Sequence, residues 1–181
     1  MFIDLKQING SYLQQAASIL YEAFNGIDNH SWPDLDVALN EVKQCLKDEY
    51  ICIGYCEEAK LLGWVGLRPM YAKTSWELHP LVVVQSHQGK GIGKQLMAEI
   101  ERRAKAQNVL NIFLGTDDET FRTNLSELDF QLEGLTEIIP KMRNLNQHPY
   151  EFYQKCGYQI VEIFPDANDI GKPDIWMWKR I

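Results

Sequence analysis

The eleven residues "SHQGKGIGKQL", 86–96, set three glycines among lysine and isoleucine and then run into a helical pattern. A glycine turn at a helix start is suited to holding an anion. Without Cβ atoms the backbone curls close to a ligand, successive N–H groups converge on it, and the helix adds its dipole. Spacing decides which anion. A dinucleotide fingerprint needs G-x-G-x-x-G after the first strand of a βαβ unit. From Gly89 and Gly91 its third glycine falls on Lys94. A P-loop, G-x-x-x-x-G-K-[ST], counted from Gly89 also needs a glycine where Lys94 stands. Both nucleotide readings fail, and the register that fits is Gln88-x-x-Gly91-x-Gly93.

A second group lies just upstream, in "SWELHPLVVV". Glu77 and His79 are two residues apart, so a strand sets them on one face. Glu77, ionised at neutral pH, is able to accept a proton directly or through water; the plainer alternative is a solvated residue on a polar face. A histidine before proline is equally a hydrogen-bonded structural residue or a base. Pro80 cannot donate to a ladder and marks an edge or a bulge. His30 and His87 have less support, and His148 is expected to order the turn before Pro149.

The elements that must position these residues follow from periodicity. In "GSYLQQAASILYEAF", Ser11 and Gln14 form a capping-box signature ahead of Leu13, Ala16, Ala17, Leu20 and Phe24 on one helical face. A second helix is expected from Asp34 to about Lys47, with Leu39, Val42 and Leu46 inward. "YICIGYCEE" and "KLLGWVGLRPMY" form two strands joined near Ala59 and Lys60, and "SWELHPLVVV" forms a third. The glycine turn opens a helix with Ile92, Leu96, Ile100 and Ala104 on one face. "VLNIFLGT" is a buried strand, "HPYEFYQKCGYQIVEIF" a short helix, a stop at Gly157 and a strand, and "DIWMWKRI" a closing strand. The order predicts a mixed α/β fold in one domain spanning 1–181.

Composition narrows the class. The 181 residues, 45% hydrophobic, suit a folded domain with a sizeable core, and the net charge is −7. That charge argues against nucleic acid, which demands a basic stripe, and suits cationic small molecules. No apolar run reaches the length of a membrane span, and no leader pattern opens the chain, so a cytoplasmic protein without a membrane partner is expected. Cys45, Cys52, Cys56 and Cys156 lack the spacing of a disulfide framework, and Cys52 with Cys56 makes a poor zinc set. No metal is expected.

Gln88-x-x-Gly91-x-Gly93 matches the Q/R-x-x-G-x-G/A signature of the GCN5-related N-acetyltransferase (GNAT) superfamily. "SWELHPLVV", "FLGTDD", "NLNQHPYEFYQKCGY" and "KPDIWMWK" further resemble the aminoglycoside 6'-N-acetyltransferases, specifically the enterococcal chromosomal type. The likeness runs in order from about residue 50 to the end; the first 50 residues match only as two helices and the Trp32–Pro33 pair. "QGKGIGK" departs from the enterococcal loop toward the general superfamily pattern.

The resemblance implies a single-domain GNAT fold, with a mixed, mostly antiparallel twisted sheet flanked by helices. It implies acetyl-CoA as co-substrate, its pyrophosphate on Gln88, Gly89, Lys90, Gly91, Ile92, Gly93 and Lys94. Its pantetheine arm would lie along Leu81, Val82 and Val83, freed by a bulge at Pro80, with one N–H aimed at the thioester oxygen. The catalytic set it implies is Glu77 and His79 for the acceptor's proton and Tyr153 for the departing thiolate. Seven acids lie between Asp117 and Glu137, Glu133 among them, against one base, Arg122. Asp117 and Asp118, with Trp32 and Tyr71 as stacking walls and Glu77 beside them, would hold a cationic aminoglycoside. The implied assembly is a homodimer. A polyamine, small metabolite or protein amine is the alternative acceptor, and a non-catalytic acyl-CoA-binding module the rival of another class.

Overall fold

A computed structural model describes residues 1–7, 10–25, 31–71, 73–130 and 134–181; His30 and Glu133 lie outside the described residues. The chain divides into two compact units, Met1–Ile112 with Ile181, and Phe113–Arg180.

The first unit contains β1 (Phe2–Asp4), α1 (Gly10–Phe24), α2 (Leu35–Cys45), β2 (Ile51–Glu57), β3 (Lys60–Tyr71), β4 (Ser75–Val83) and α3 (Ile92–Ala106). Its strands lie in the order β1-β2-β3-β4 and every pair is antiparallel. Glu58 and Ala59 close the β2–β3 hairpin with φ of 47° and 61°, the two-residue turn whose twist suits flanking strands. Ser11 lies inside the first turn of α1, so the capping box expected there is not the helix start. Asp34 does cap α2, accepting a hydrogen bond from the Val37 amide at 2.9 Å.

Small residues on the helices set how closely they approach the strands. Ala16, Ala17 and Leu20 of α1 and Ala38, Val42 and Cys45 of α2 pack in one core with Cys52, Cys56, Leu61, Trp64 and Val82. The indole of Trp64 is wholly buried and donates from Nε1 to the Ala16 carbonyl at 3.0 Å. That bond satisfies the one polar atom of the largest side chain in this core. On α3, Ile92, Leu96, Ile100 and Ala104 are buried as their spacing predicts, joined by Met97.

The second unit contains β5 (Asn111–Asp117), which enters from the first, then α4 (Leu135–Ile138), α5 (Tyr150–Lys155), β6 (Gln159–Asp169) and β7 (Lys172–Arg180). The strand order is β5-β7-β6, with β6 and β7 an antiparallel hairpin. Gly157, at φ 91°, ends α5 where a stop is expected. Among the described residues no helix is long and apolar enough to cross a membrane.

Candidate active site

The glycine turn caps α3. Gly89 and Gly91 hold φ of 75° and 85°, a left-handed backbone that side chains oppose, and Gly91 is the N-cap. A Cβ at either position would meet nothing within 4 Å, so the turn stands open to a ligand. The first intrahelical bond runs from the Gln95 amide to the Gly91 carbonyl, and helix geometry leaves the preceding amides, Ile92 to Lys94, without i−4 partners. Lys90 is exposed beside them. Gln88 donates its side-chain amide to the Val83 carbonyl at 3.1 Å, fastening the turn to the end of β4.

β4 carries the second group. Its burial alternates strictly, so Glu77, His79, Leu81 and Val83 share one face while Val82 faces the core. The bulge marked by Pro80 is present: Val65 pairs with Leu81 and Leu67 with Leu78, so His79 and Pro80 together oppose Gly66. The His79–Pro80 peptide is cis. Beyond the bulge, the Val84 amide bonds the Leu62 carbonyl, which makes Trp64–Val82 the next hydrogen-bonded pair. By alternation the amides of Leu81 and Val83 point away from β3.

Two carboxylates flank this face. Glu77, 15% exposed, accepts a hydrogen bond from Arg68 Nε at 2.8 Å, across the β3–β4 pair. The same contact raises the Arg68 pKa above its ordinary value. Glu41 of α2 lies with Oε1 3.6 Å from His79 Nε2. The Trp32 ring is 5.8 Å from the His79 ring and 4.7 Å from that of Phe24. Trp32, Glu77 and His79 thus share one neighbourhood. Tyr71, 65% exposed, lies at the far end of β3 opposite Ser75.

In the second unit, Asp117 ends β5 at the surface and accepts from Asn168 Nδ2 at 2.7 Å. Asp118 differs from its expected role. It is 2% exposed, and its oxygens accept from the Arg122 amide, the Thr123 amide and the Thr123 hydroxyl at 2.7–2.8 Å. Three bonds within its own loop make it a loop anchor. His148 orders its turn as expected: Nδ1 accepts from the Tyr150 amide and Nε2 meets the Asp117 carbonyl at 3.0 Å. Burial lowers the pKa of its imidazole. Tyr153 is buried on α5, edge-on to Phe152 and Tyr158, and burial followed by Cys156 raises its phenol pKa well above 10.

The Acetyltransferase (GNAT) family pattern matches residues 15–130. The chain belongs to the GNAT family. It is an acetyl-CoA-dependent N-acetyltransferase with the α/β fold of that family. An aminoglycoside 6'-N-acetyltransferase solved with coenzyme A is similar to it at 34% identity, covering 99% of this chain and 96% of that one, with a TM-score of 0.89. The aminoglycoside 6'-N-acetyltransferase from Enterococcus faecium shares 33% identity over the same shares, also at 0.89. The ribosomal-protein-alanine N-acetyltransferase from Brucella melitensis, at 17% identity, TM-score 0.68 and coverage of 100% and 99%, shares the fold. No curated protein matches the chain.

In this GNAT enzyme several polar residues escaped sequence reasoning. Arg68 was hidden because its partner is nine positions away across a bulged hairpin, and Glu41 because 38 positions separate it from His79. Asp174 is a third. Its carboxylate lies over Gly115, where a Cβ would come within 2.9 Å of it, and it accepts from Trp176 Nε1. Its Oδ1 is buried without a hydrogen-bond partner among the described residues. Burial, then the Asp117 carboxylate, pushes its pKa up to about 6.

The folded state therefore holds a proton that the unfolded chain releases near its ordinary value of about 4. Stability from this group is greatest below that value and falls as pH rises through about 6. Asp174→Asn keeps an acceptor for Trp176 and removes the ionisation. It is expected to raise the Tm by a few degrees at pH 7.5 and to change it little at pH 4.5, read by calorimetry.

Proposed function

We propose that this chain is an aminoglycoside 6'-N-acetyltransferase, moving acetyl from acetyl-CoA to the 6'-amine by direct attack in a ternary complex. The observation that carries the reading is its full-length likeness to two structures so described. The "WELHP", "GTDD" and "HPYEFYQKCGY" stretches support it.

The coenzyme supplies an activated acetyl group when bound. The open turn and the first amides of α3 hold its diphosphate, with Lys90 and Lys94 adding charge. The outward amides of Leu81 and Val83 align the donor arm, and one of them polarises the carbonyl as charge develops. An acceptor amine is mostly protonated at neutral pH, so Glu77 and His79 serve to take its proton. Tyr153, whose phenol stays protonated, gives a proton to the leaving thiolate. For the remaining ammonium groups, Asp117 offers an exposed carboxylate and Trp32 and Tyr71 offer aromatic rings. Direct attack is favoured over a covalent enzyme intermediate because the buried thiols are poor nucleophiles: burial followed by Glu41 pushes Cys45 up to about 12, and burial raises Cys52 and Cys56.

A kanamycin-like compound with a 6'-amine is expected to be N-acetylated with release of one thiol, followed with a thiol-reactive dye. A matched compound with a 6'-hydroxyl should give little product, since a hydroxyl is a much poorer nucleophile. Added salt should weaken acceptor binding by screening exposed ion pairs. Thiol release with spermidine or a peptide amine, and none with 6'-amino aminoglycosides, would leave the family intact and overturn the acceptor.

A further inference from the structure

Among the described residues, two carboxylates and one guanidinium lie around the β4 bulge. Glu41 and Glu77 contribute two carboxylates, and Arg68 the one guanidinium that both of them act on. The geometry divides them unequally. Glu77 holds Arg68 at 2.8 Å, whereas Glu41 has the His79 ring nitrogen Nε2 at 3.6 Å. Cys45, the other titratable group near this ring on α2, has its Sγ 3.7 Å from Glu41 and 3.6 Å from the His79 carbonyl. Burial pushes that thiol up to about 12, so it remains uncharged. Among the described residues, the group placed to carry a positive charge beside Glu41 is the imidazole, 3.6 Å from its Oε1. The Trp32 ring, 5.8 Å away, presents a further surface that favours a cation.

We propose that Glu41 is a positioning residue that sets His79 as the proton acceptor of acetyl transfer, its carboxylate supplying the counter-charge of the imidazolium. The step moves one proton from the attacking ammonium to the imidazole, and the nitrogen lone pair so freed forms the bond to the acetyl carbon. The carbon–sulfur bond breaks with its electron pair on sulfur, and the thiolate gains a proton equivalent to the second one that the new amide nitrogen sheds. Glu77, already neutralised by Arg68, gains little from a second positive partner and is the weaker base of the two. Its place is to anchor Arg68 and to line the acceptor side. This assignment rests on the proposed acceptor-amine chemistry but not on the identity of the amine.

The test reads the histidine itself. In Glu41→Gln the His79 ring signal, followed by NMR in the substrate-free protein, is expected to titrate at lower pH than in the wild type. The lost counter-charge at a half-exposed ring corresponds to a proton affinity weakened by roughly tenfold. Glu41→Asp, which keeps the charge on a shorter arm, should fall between. Asp36→Asn, an exposed carboxylate on the same helix, should leave the titration unchanged. Single-turnover acetylation of an accepted amine should slow by about tenfold in Glu41→Gln, with the KM for acetyl-CoA unchanged. In a His79→Gln background the same change should cost nothing further, because the two residues act as one unit.

A His79 signal that titrates identically in folded Glu41→Gln overturns the proposal. So does an undiminished effect of Glu41→Gln in the His79→Gln background. Because the titration needs no substrate, failure of the aminoglycoside reading alone would leave the histidine shift in place.

Discussion

Gly66→Ala is expected to cost about 2–4 kcal/mol of stability and to remove most acetyl transfer, although it adds a single methyl group. The reason is what that methyl would meet. A Cβ on Gly66 would lie 2.5 Å from the His79 carbonyl oxygen and 3.2 Å from Cys45 Sγ. The first contact is backbone, and it sits in the bulge where two residues of β4 face one of β3. No rotamer change relieves it, so either β4 moves or the bulge opens. Val65 and Leu67 on either side are fully buried, which prevents β3 from yielding instead. A lowered urea midpoint with an unchanged m-value would report the stability loss. If Gly66→Ala unfolds at the wild-type midpoint and acetylates at the wild-type rate, the bulge does not hold His79 in the manner described.

The contrast between what was legible and what was not follows the range of each interaction. Local periodicity read correctly wherever one face is buried and the other wet. Ile92, Leu96, Ile100 and Ala104 on α3 are an instance, as is the alternation along β4 that keeps Glu77 and His79 together. Turn chemistry read correctly at Gly91 and Gly157, where backbone sterics favour glycine at positive φ; Gly89 shares that conformation, whereas Gly93 of the same motif lies within α3. Proline gave the bulge at His79–Pro80. The residue across from it, Gly66, carried no signal of its own in "GWVGLRPMY".

Side-chain pairing was the part that did not read. Arg68 and Glu77 meet only because the hairpin register shifts once between Val65 and Leu67. Glu41 and His79 meet only because α2 packs against β3 and β4. Asp118 and Asp117 are neighbours in sequence and alike in charge, yet one is sealed by three bonds in its loop while the other remains exposed. Nothing in the dipeptide separates them. Strand β1 is only three residues long and the distal half of β6, from Phe164, is exposed throughout, so neither shows a hydrophobic period.

Tyr153→Phe is expected to slow single-turnover acetyl transfer by about a hundredfold or more, the scale of a lost general acid, while coenzyme affinity changes little. Phenylalanine keeps the ring, so the edge-on contacts with Phe152 and Tyr158 survive and no cavity opens. What disappears is one hydroxyl. Burial raises the pKa of that hydroxyl above its ordinary value of 10, so it remains a proton donor across the whole working range. Wild-type activity should then show no alkaline fall from this residue, and its acidic limb should belong to the proton-accepting side near His79. In Tyr153→Phe the acidic limb should stay where it is while the plateau drops. Steady-state turnover limited by product release would conceal the drop, which is why the single-turnover rate is the measure. A folded Tyr153→Phe that transfers acetyl at the wild-type single-turnover rate would leave the thiolate to be protonated by water and remove Tyr153 from the mechanism.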